Sequence, residues 1–286
     1  MQDMKEISTI KEAKQWLKPY QKKNLKIGFV PTMGALHEGH LRLIRQSENE
    51  NDITVCSIFV NPIQFNNPDD LAKYPRNISL DARLLTGNGC DMLFCPGLEE
   101  MYPEGKTENV DLEFGLLDKV MEGKFRPGHF KGVAIIVKKL FDIIQPDTAY
   151  FGKKDYQQLM IIHSMVDQLK LPIEVIGCPI IREPDGLAMS SRNMQLSIGE
   201  RKIAPLIFQV LTKTKQKAGN MPVKDLKSWA IKKLTAEPTF TVEYFEIVDK
   251  QTLLPLDSWK KKDNALACTA VYLGGVRLID NIELFS

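Results

Sequence analysis

The sequence predicts an α/β fold, a parallel sheet covered by helices, followed by a smaller α+β C-terminal domain. Three observations predict it. Through the first two-thirds of the 286 residues, short apolar runs alternate with stretches of helical period. Those runs are continuous rather than alternating, the pattern of strands buried on both faces. After about Arg182 lysine density rises and the segments change in kind, which places a boundary near residue 180 and divides the chain into 1–180 and 181–286.

Each element then has its local reason. Residues 25–30 are a β-rich run closed by Pro31, and 39–51 carry a helical pattern. Residues 53–60 are strongly apolar and stop at Asn61-Pro62, a turn signal. A further buried strand at 91–95 ends on Pro96-Gly97. Val133, Ile136, Val137, Leu140, Phe141 and Ile144 form one face of a helix over 131–144. A short strand at 148–151 runs into Gly152. Asp155 then serves as N-cap, with Gln158 three positions on completing a capping box, and Leu159, Ile162, Val166 and Leu169 mark the buried face. Residues 174–181 are the last run of the sheet. Beyond the boundary come a basic helix over 224–235 and β-runs at 242–248 and 265–279, the latter interrupted by a hairpin turn at Gly274-Gly275.

Composition excludes several classes. The chain is 43% hydrophobic and 26% charged, and 38 Lys and Arg balance 36 Asp and Glu to a net charge of +2. That balance leaves no footprint for nucleic acid or an anionic membrane. The five cysteines are odd in number and lack C-x-x-C spacing, so neither a disulfide framework nor a zinc site is expected. Cys56, inside an apolar run, reads as a small buried hydrophobe. The longest apolar stretch, 132–144, is broken by Lys138, Lys139 and Asp142, so no membrane span is expected. The start, Met1-Gln2-Asp3-Met4-Lys5-Glu6, has no apolar segment behind it, and a cytoplasmic chain is expected. Lys260-Lys261-Lys262-Asp263 reads as solvated surface.

Chemistry-bearing residues concentrate in four segments that follow strands or lie in loops, where ligands bind on an open parallel sheet. In Pro31-Thr32-Met33-Gly34-Ala35-Leu36-His37-Glu38-Gly39-His40, two histidines sit at a helix start. A helix N-terminus attracts phosphate, and imidazoles there can donate to phosphoryl oxygens. A zinc motif needs histidines at i and i+4, whereas these are at i and i+3. Asn61 and Gln64 follow a buried strand and point to a pocket, or else only stop the strand. Gly152-Lys153-Lys154-Asp155 suits a polyphosphate at a strand-to-helix junction, though its spacing is not that of a P-loop. Met189-Ser190-Ser191-Arg192 offers two hydroxyls and a guanidinium, or simply a polar interdomain loop.

Together these segments closely resemble the pantoate–β-alanine ligase (pantothenate synthetase) family. The resemblance is carried by the segment 31–40, by Phe59-Val60-Asn61-Pro62-Ile63-Gln64-Phe65 and Tyr74-Pro75-Arg76, and by Arg126-Pro127-Gly128-His129-Phe130. It continues through Phe151-Gly152-Lys153-Lys154-Asp155 with Gln157-Gln158, Asp185-Gly186-Leu187-Ala188-Met189-Ser190-Ser191-Arg192-Asn193 and Arg277-Leu278-Ile279-Asp280-Asn281. It implies a Rossmann-like domain with a smaller C-terminal lid, usually as a homodimer. The implied reaction condenses pantoate with β-alanine, using ATP and Mg2+, through pantoyl adenylate. It implies ATP contacts at Met33, Gly34, Ala35, Leu36, His37, Glu38, Gly39 and His40, at Gly152, Lys153, Lys154 and Asp155, and at Ile181, Met189, Ser190, Ser191 and Arg192. Catalytic donors would be His40, His37, Lys154, Ser190, Ser191 and Arg192. Gln64, Gln158 and Asn61 would bind substrate, and Asp81 would associate with magnesium. Leu80 lacks the acidic side chain that some relatives have there. His129, though in a matching motif, reads as structural or peripheral.

Two other readings compete. An adenylyltransferase of the same superfamily would keep H-x-G-H without needing Gln64 and Gln158. A nucleotide-binding regulatory protein would have lost catalytic positions, and here His37, His40, Lys154, Ser190 and Arg192 are all present.

Overall fold

Continuous apolar runs build the first sheet of the structure, a computed structural model that describes residues 4–105, 112–259 and 264–285. The 260–263 run lies outside the described residues. Strands β1 (Lys5–Ile7), β2 (Ile27–Thr32), β3 (Ile53–Ile58), β4 (Met92–Phe94), β5 (Thr148–Gly152) and β6 (Glu174–Cys178) are joined in the order β1-β4-β3-β2-β5-β6. Every pairing in this sheet is parallel, with Phe29 beside Val55 on one side and Ala149 on the other. Phe29, Val30, Val55, Cys56, Leu93, Phe94, Ala149 and Tyr150 are all fully buried, as two-sided cover demands.

Parallel strands put their carboxyl ends at one edge. From β2 the chain steps outward to β3 and β4, then returns to β5 on the other flank of β2. The order therefore reverses between β2 and β5, the place where open α/β sheets bind ligands. The predicted helix at 39–51 spans Glu38–Glu50, and that at 131–144 starts two residues earlier, as His129–Ile144.

The chain divides into two compact units. The first takes in Met1–Phe114, Arg126–Lys153 and Gln158–Pro179, and holds the parallel sheet. The second takes in Ile180–Ser286 together with two earlier stretches, Gly115–Phe125 and Lys154–Gln157.

The second unit is built on β7 (Phe240–Asp249), β8 (Ala265–Leu273) and β9 (Val276–Glu283), antiparallel in that order. The expected hairpin is there, with Gly274 at φ +58 in the turn. Helices Leu206–Lys217 and Val223–Thr235 bury Val210, Leu211, Leu226, Ala230 and Leu234 in one cluster with Phe245, Ile247, Val271 and Leu278. Side chains alternate along β9, so Arg277, Ile279 and Asn281 face away from Leu278. Among the described residues no helix is long and apolar enough to cross a membrane.

Candidate active site

Beyond Thr32 the chain must turn within five residues to start the helix Glu38–Glu50. It does so through left-handed backbone at Gly34 (φ +82) and Ala35 (φ +50). At Gly34 a Cβ would come within 3.0 Å of Ile58 Cγ2 and 3.1 Å of Asp81 Oδ2, so the position needs glycine for space as well as for φ. Ala35 has no such freedom, and its conformation costs ~1–2 kcal/mol. Asp81 offsets that cost. It is 1% exposed, and its two oxygens accept from the Ala35 amide at 2.9 Å and the Leu36 amide at 2.8 Å. Burial pushes the Asp81 pKa above the usual carboxylate value, while the Leu36 and Ala35 amides pull it down.

The helix that follows is capped by its own histidines. His37 is the N-cap; its Nδ1 accepts from the Gly39 amide at 3.1 Å, and His40 Nδ1 accepts from the His37 amide at 3.3 Å. The rings lie 4.1 Å apart, tilted by 41°. A ring nitrogen that accepts an amide hydrogen carries no proton, so each neutral imidazole bears its hydrogen on Nε2. The reciprocal cap thus fixes the tautomer of both rings, making Nε2 a hydrogen-bond donor at a helix N-terminus.

Gln64 is fixed from several sides. It is 7% exposed, its Nε2 donates to Met33 Sδ at 2.9 Å, and its Oε1 accepts from Asn61 Nδ2 at 3.3 Å. Asn61, only 1% exposed, also donates to Gly132 O and accepts from Tyr102 Oη. Its polar atoms serve the protein interior, so Asn61 acts on Gln64 rather than facing a pocket as the strand-end position suggested. Buried His129 meets the Gln64 carbonyl at 2.8 Å, the structural role expected of it. Gly132 is an approach point, because a Cβ there would lie 2.9 Å from Gln64 N and Cα. A cavity of ≈ 220 Å³ is lined by Met33, Gly34, Asp81 and Arg76 among others. Gln158 lies near the start of the helix Tyr156–Leu169 and is half-buried.

Gly152 closes β5, and Lys153–Asp155 form a 3-10 turn before that helix. Within the second unit, the Lys154 carbonyl accepts from Asn281 Nδ2 at 2.9 Å, and Lys154 Nζ stands 3.8 Å from Asp155 Oδ1. Gln157 is held by Glu122 N and by the carbonyls of Leu117 and Val120.

Also in the second unit, 181–189 folds back on itself, with Met189 N donating to Ile181 O at 3.0 Å and Arg182 bridging Ala188. This hairpin delivers Ser190, the N-cap of the 3-10 helix Ser191–Gln195, whose Oγ accepts from the Arg192 amide at 3.3 Å. The Arg182 guanidinium grips Asp280 at 2.6 and 3.0 Å and stacks 3.9 Å over the Phe208 ring.

Asp81 belongs to no protein-built metal cluster, since among the described residues no group of three or more His, Cys, Asp or Glu is gathered to hold an ion. Each of its oxygens accepts one backbone amide, which leaves lone pairs open on both. In the structure Asp81 is a carboxylate that holds the turn; its association with magnesium stays an expectation from the family resemblance.

Sequence reasoning missed the holding role of Asp81, Tyr102, Asp280 and Asn281. Asp81 and the Arg277–Asn281 run drew notice only through resemblance, and not for this role; nothing local marks these residues as partners of loops far away in the chain.

The chain matches the family model described as Pantoate-beta-alanine ligase over residues 5–283. It is 49% identical over 280 residues to pantothenate synthetase of Bacteroides fragilis, covering 98% of this chain and 99% of that one. Among solved structures, pantothenate synthetase from Thermus thermophilus superposes with a TM-score of 0.93 at 44% identity, covering 99% and 100% of the two chains. Pantoate-beta-alanine ligase from Francisella tularensis, complexed with beta-gamma ATP and beta-alanine, gives a TM-score of 0.82 at 35% identity, with 98% of each chain covered.

Proposed function

The chain belongs to the pantoate–β-alanine ligase family, and from that premise we propose how its residues carry out the reaction. It condenses pantoate with β-alanine using ATP. A pantoate carboxylate oxygen attacks the α-phosphorus and the bond to pyrophosphate breaks, giving pantoyl adenylate. The β-alanine amine then attacks the acyl carbon, loses a proton and displaces AMP. The observation that carries this reading is identity at about half of all positions, along 98% of the chain, to a pantothenate synthetase.

No protein nucleophile is required, because the substrate carboxylate attacks. What the protein supplies is a set of fixed donors where charge gathers on the α-phosphoryl group. His40 and His37 donate from Nε2, the tautomer that their caps enforce. Lys154 and Arg192 bring positive charge, and Ser190 and Ser191 bring hydroxyls. Met33 to His40, Gly152 to Asp155, Ile181 and Met189 to Arg192 form the nucleotide contacts. Gln64 and Gln158 bind pantoate, Gln64 serving β-alanine as well, with Asn61 keeping Gln64 in place. A glutamine leaves the carboxylate more nucleophilic than an arginine would. Mg2+ enters as part of the Mg-ATP substrate. The adenylate is a mixed anhydride that must be kept from water, and a closing role for 181–286 belongs to this proposal. So do a homodimer and a cytoplasmic location, both supported by family membership.

The test is AMP release by the purified chain with Mg-ATP, omitting pantoate and β-alanine in turn. AMP that requires both substrates, with pantothenate identified by mass spectrometry, is the expected result. Pantoate-dependent exchange of pyrophosphate into ATP without β-alanine would place the adenylate on the path. Absence of both activities in folded protein would overturn the reading.

A further inference from the structure

The two donor segments of the second unit, Lys154 and Ser190–Arg192, are held by one buried dipeptide. On β9, Asp280 is 4% and Asn281 6% exposed. The Asn281 side-chain amide donates to the backbone carbonyl of Lys154 at 2.9 Å. Asp280 accepts from both terminal nitrogens of Arg182, and its Oδ1 also accepts from the Asn281 amide at 2.8 Å. The same guanidinium donates to Gly186 O at 3.1 Å and to Asn281 O at 3.2 Å. Arg182 is thus clamped between β9 and the turn of the hairpin whose far strand leads into Ser190.

A second strut starts four residues earlier on the same face of β9. Arg277 makes two bonds of 2.8 Å to Glu122 and also pairs with Glu243, while the Glu122 amide donates to Gln157. The segment Lys154–Gln157 is therefore anchored to β9 at its start by Asn281 and near its end by Arg277 through Glu122. A long, flexible lysine is only as well placed as the backbone that carries it, and here that backbone is pinned.

We propose that Asn281 and Asp280 are positioning residues for the adenylation step, Asn281 acting through Lys154 and Asp280 acting through Arg182 and the Ser190–Arg192 segment. The proposal rests on the ligase reading. Both side chains are buried against protein partners; each fixes a donor that must already be in place when charge develops, since misplacement by about 1 Å can cost about 100-fold.

The experiment is a set of double-mutant cycles read by pantoate-dependent pyrophosphate exchange. Asn281→Asp keeps the shape and removes the donor to the Lys154 carbonyl; Asn281→Ala is the second variant should the first fold poorly. Asn281→Asp is expected to lower the exchange rate ~10–100-fold while the KM for pantoate stays within about threefold. In a Lys154→Ala background the same change should cost less than about twofold, because the group it positions is gone. Asp280→Asn should likewise lose most of its effect in an Arg192→Ala background, because the segment it positions has then lost its guanidinium. A merely structural role would lower every background by the same factor, and that result, or wild-type exchange in Asn281→Asp and Asn281→Ala, overturns the proposal. Absence of exchange in the wild-type chain would instead overturn the ligase reading, so the two failures are distinct.

Discussion

Replacing Asp81 tests whether the turn after β2 is held in the manner described. Two backbone amides bond to one buried carboxylate, at 2.9 and 2.8 Å. Hydrogen bonds to a charged group contribute ~1.5–3 kcal/mol each. Asp81→Asn keeps one acceptor and turns an N–H toward the other amide, a loss of about 1.5–3 kcal/mol; Asp81→Ala loses both bonds, about 3–6 kcal/mol. Against this, left-handed Ala35 costs ~1–2 kcal/mol, so with the carboxylate gone the turn no longer favours its native shape. If the whole loss falls on the turn, Asp81→Asn lowers the population of the donor-ready loop by at most about 10–150-fold, at 1.4 kcal/mol per decade. The assay is pantoate-dependent pyrophosphate exchange across a Mg2+ titration, with urea unfolding alongside. Exchange should fall by ~10–100-fold at saturating Mg2+, with the half-saturating Mg2+ concentration unchanged. Wild-type exchange in Asp81→Ala would refute the holding role. Activity restored simply by raising Mg2+ would also refute it, and would return Asp81 to the metal.

Three further outcomes follow from the packing. Gly132→Ala gains about 0.5–1 kcal/mol of helix preference but drives a Cβ to 2.9 Å from the Gln64 backbone; the clash should win, lowering stability by ~1–3 kcal/mol and raising the KM for pantoate. Burial works against the Arg277 cation, yet Glu122 and Glu243 hold its pKa above the ordinary value, so Arg277→Ala takes the guanidinium from buried Glu122 and part-buried Glu243 and should cost about 3–5 kcal/mol in urea unfolding. Burial raises the Cys90 thiol to about 12 from its ordinary 9.0, so the unfolded chain releases that proton first, and stability should fall as pH rises through the interval between those values. Cys90→Ala should flatten that part of the pH profile, and native Cys90 should resist thiol labelling at pH 8.

The sheet was legible wherever burial on both faces wrote a continuous apolar run. Residues 25–30, 53–60 and 148–151 each mark a strand that the structure contains, shifted at the ends by caps and turns. Strand β1 left no such trace, being three residues long with only Ile7 buried. The helix Ile10–Lys22 buries only Ala13 and Leu17, carries four lysines and contains Pro19, so its sequence reads as polar and interrupted. In the site, the histidine turn was legible because its chemistry is contiguous, with the cap, the donor and the helix start inside ten residues. The holders were not. Asp81 reaches Leu36 across 45 positions, His129 reaches Gln64 across 65, and Asn281 reaches Lys154 across 127. Such pairings belong to the tertiary fold, and no local period or motif encodes them.

Adenylation by carboxylate attack asks little covalent chemistry of the protein and much geometry. Donors lower the barrier to the extent that they need not reorganise when charge appears, so the free energy of their placement must be supplied during folding. For the donors proposed above, the buried residues that hold their segments supply it. Asp81 holds the histidine turn; Asn61, His129 and Gly132 hold Gln64; Asp280 and Asn281 hold the segments that carry Arg192 and Lys154. In each case the holder is buried while groups such as His37, His40 and Lys154 keep part of their surface open. Burial makes each holding bond stronger, because an unmade bond there has no water to replace it. It also separates two kinds of substitution: loss of a donor removes its own interaction, whereas loss of a holder matters only as long as the donor is there to be misplaced. Rate losses at the holders should therefore vanish when the corresponding donor is already absent, while stability losses at the same positions persist in every background.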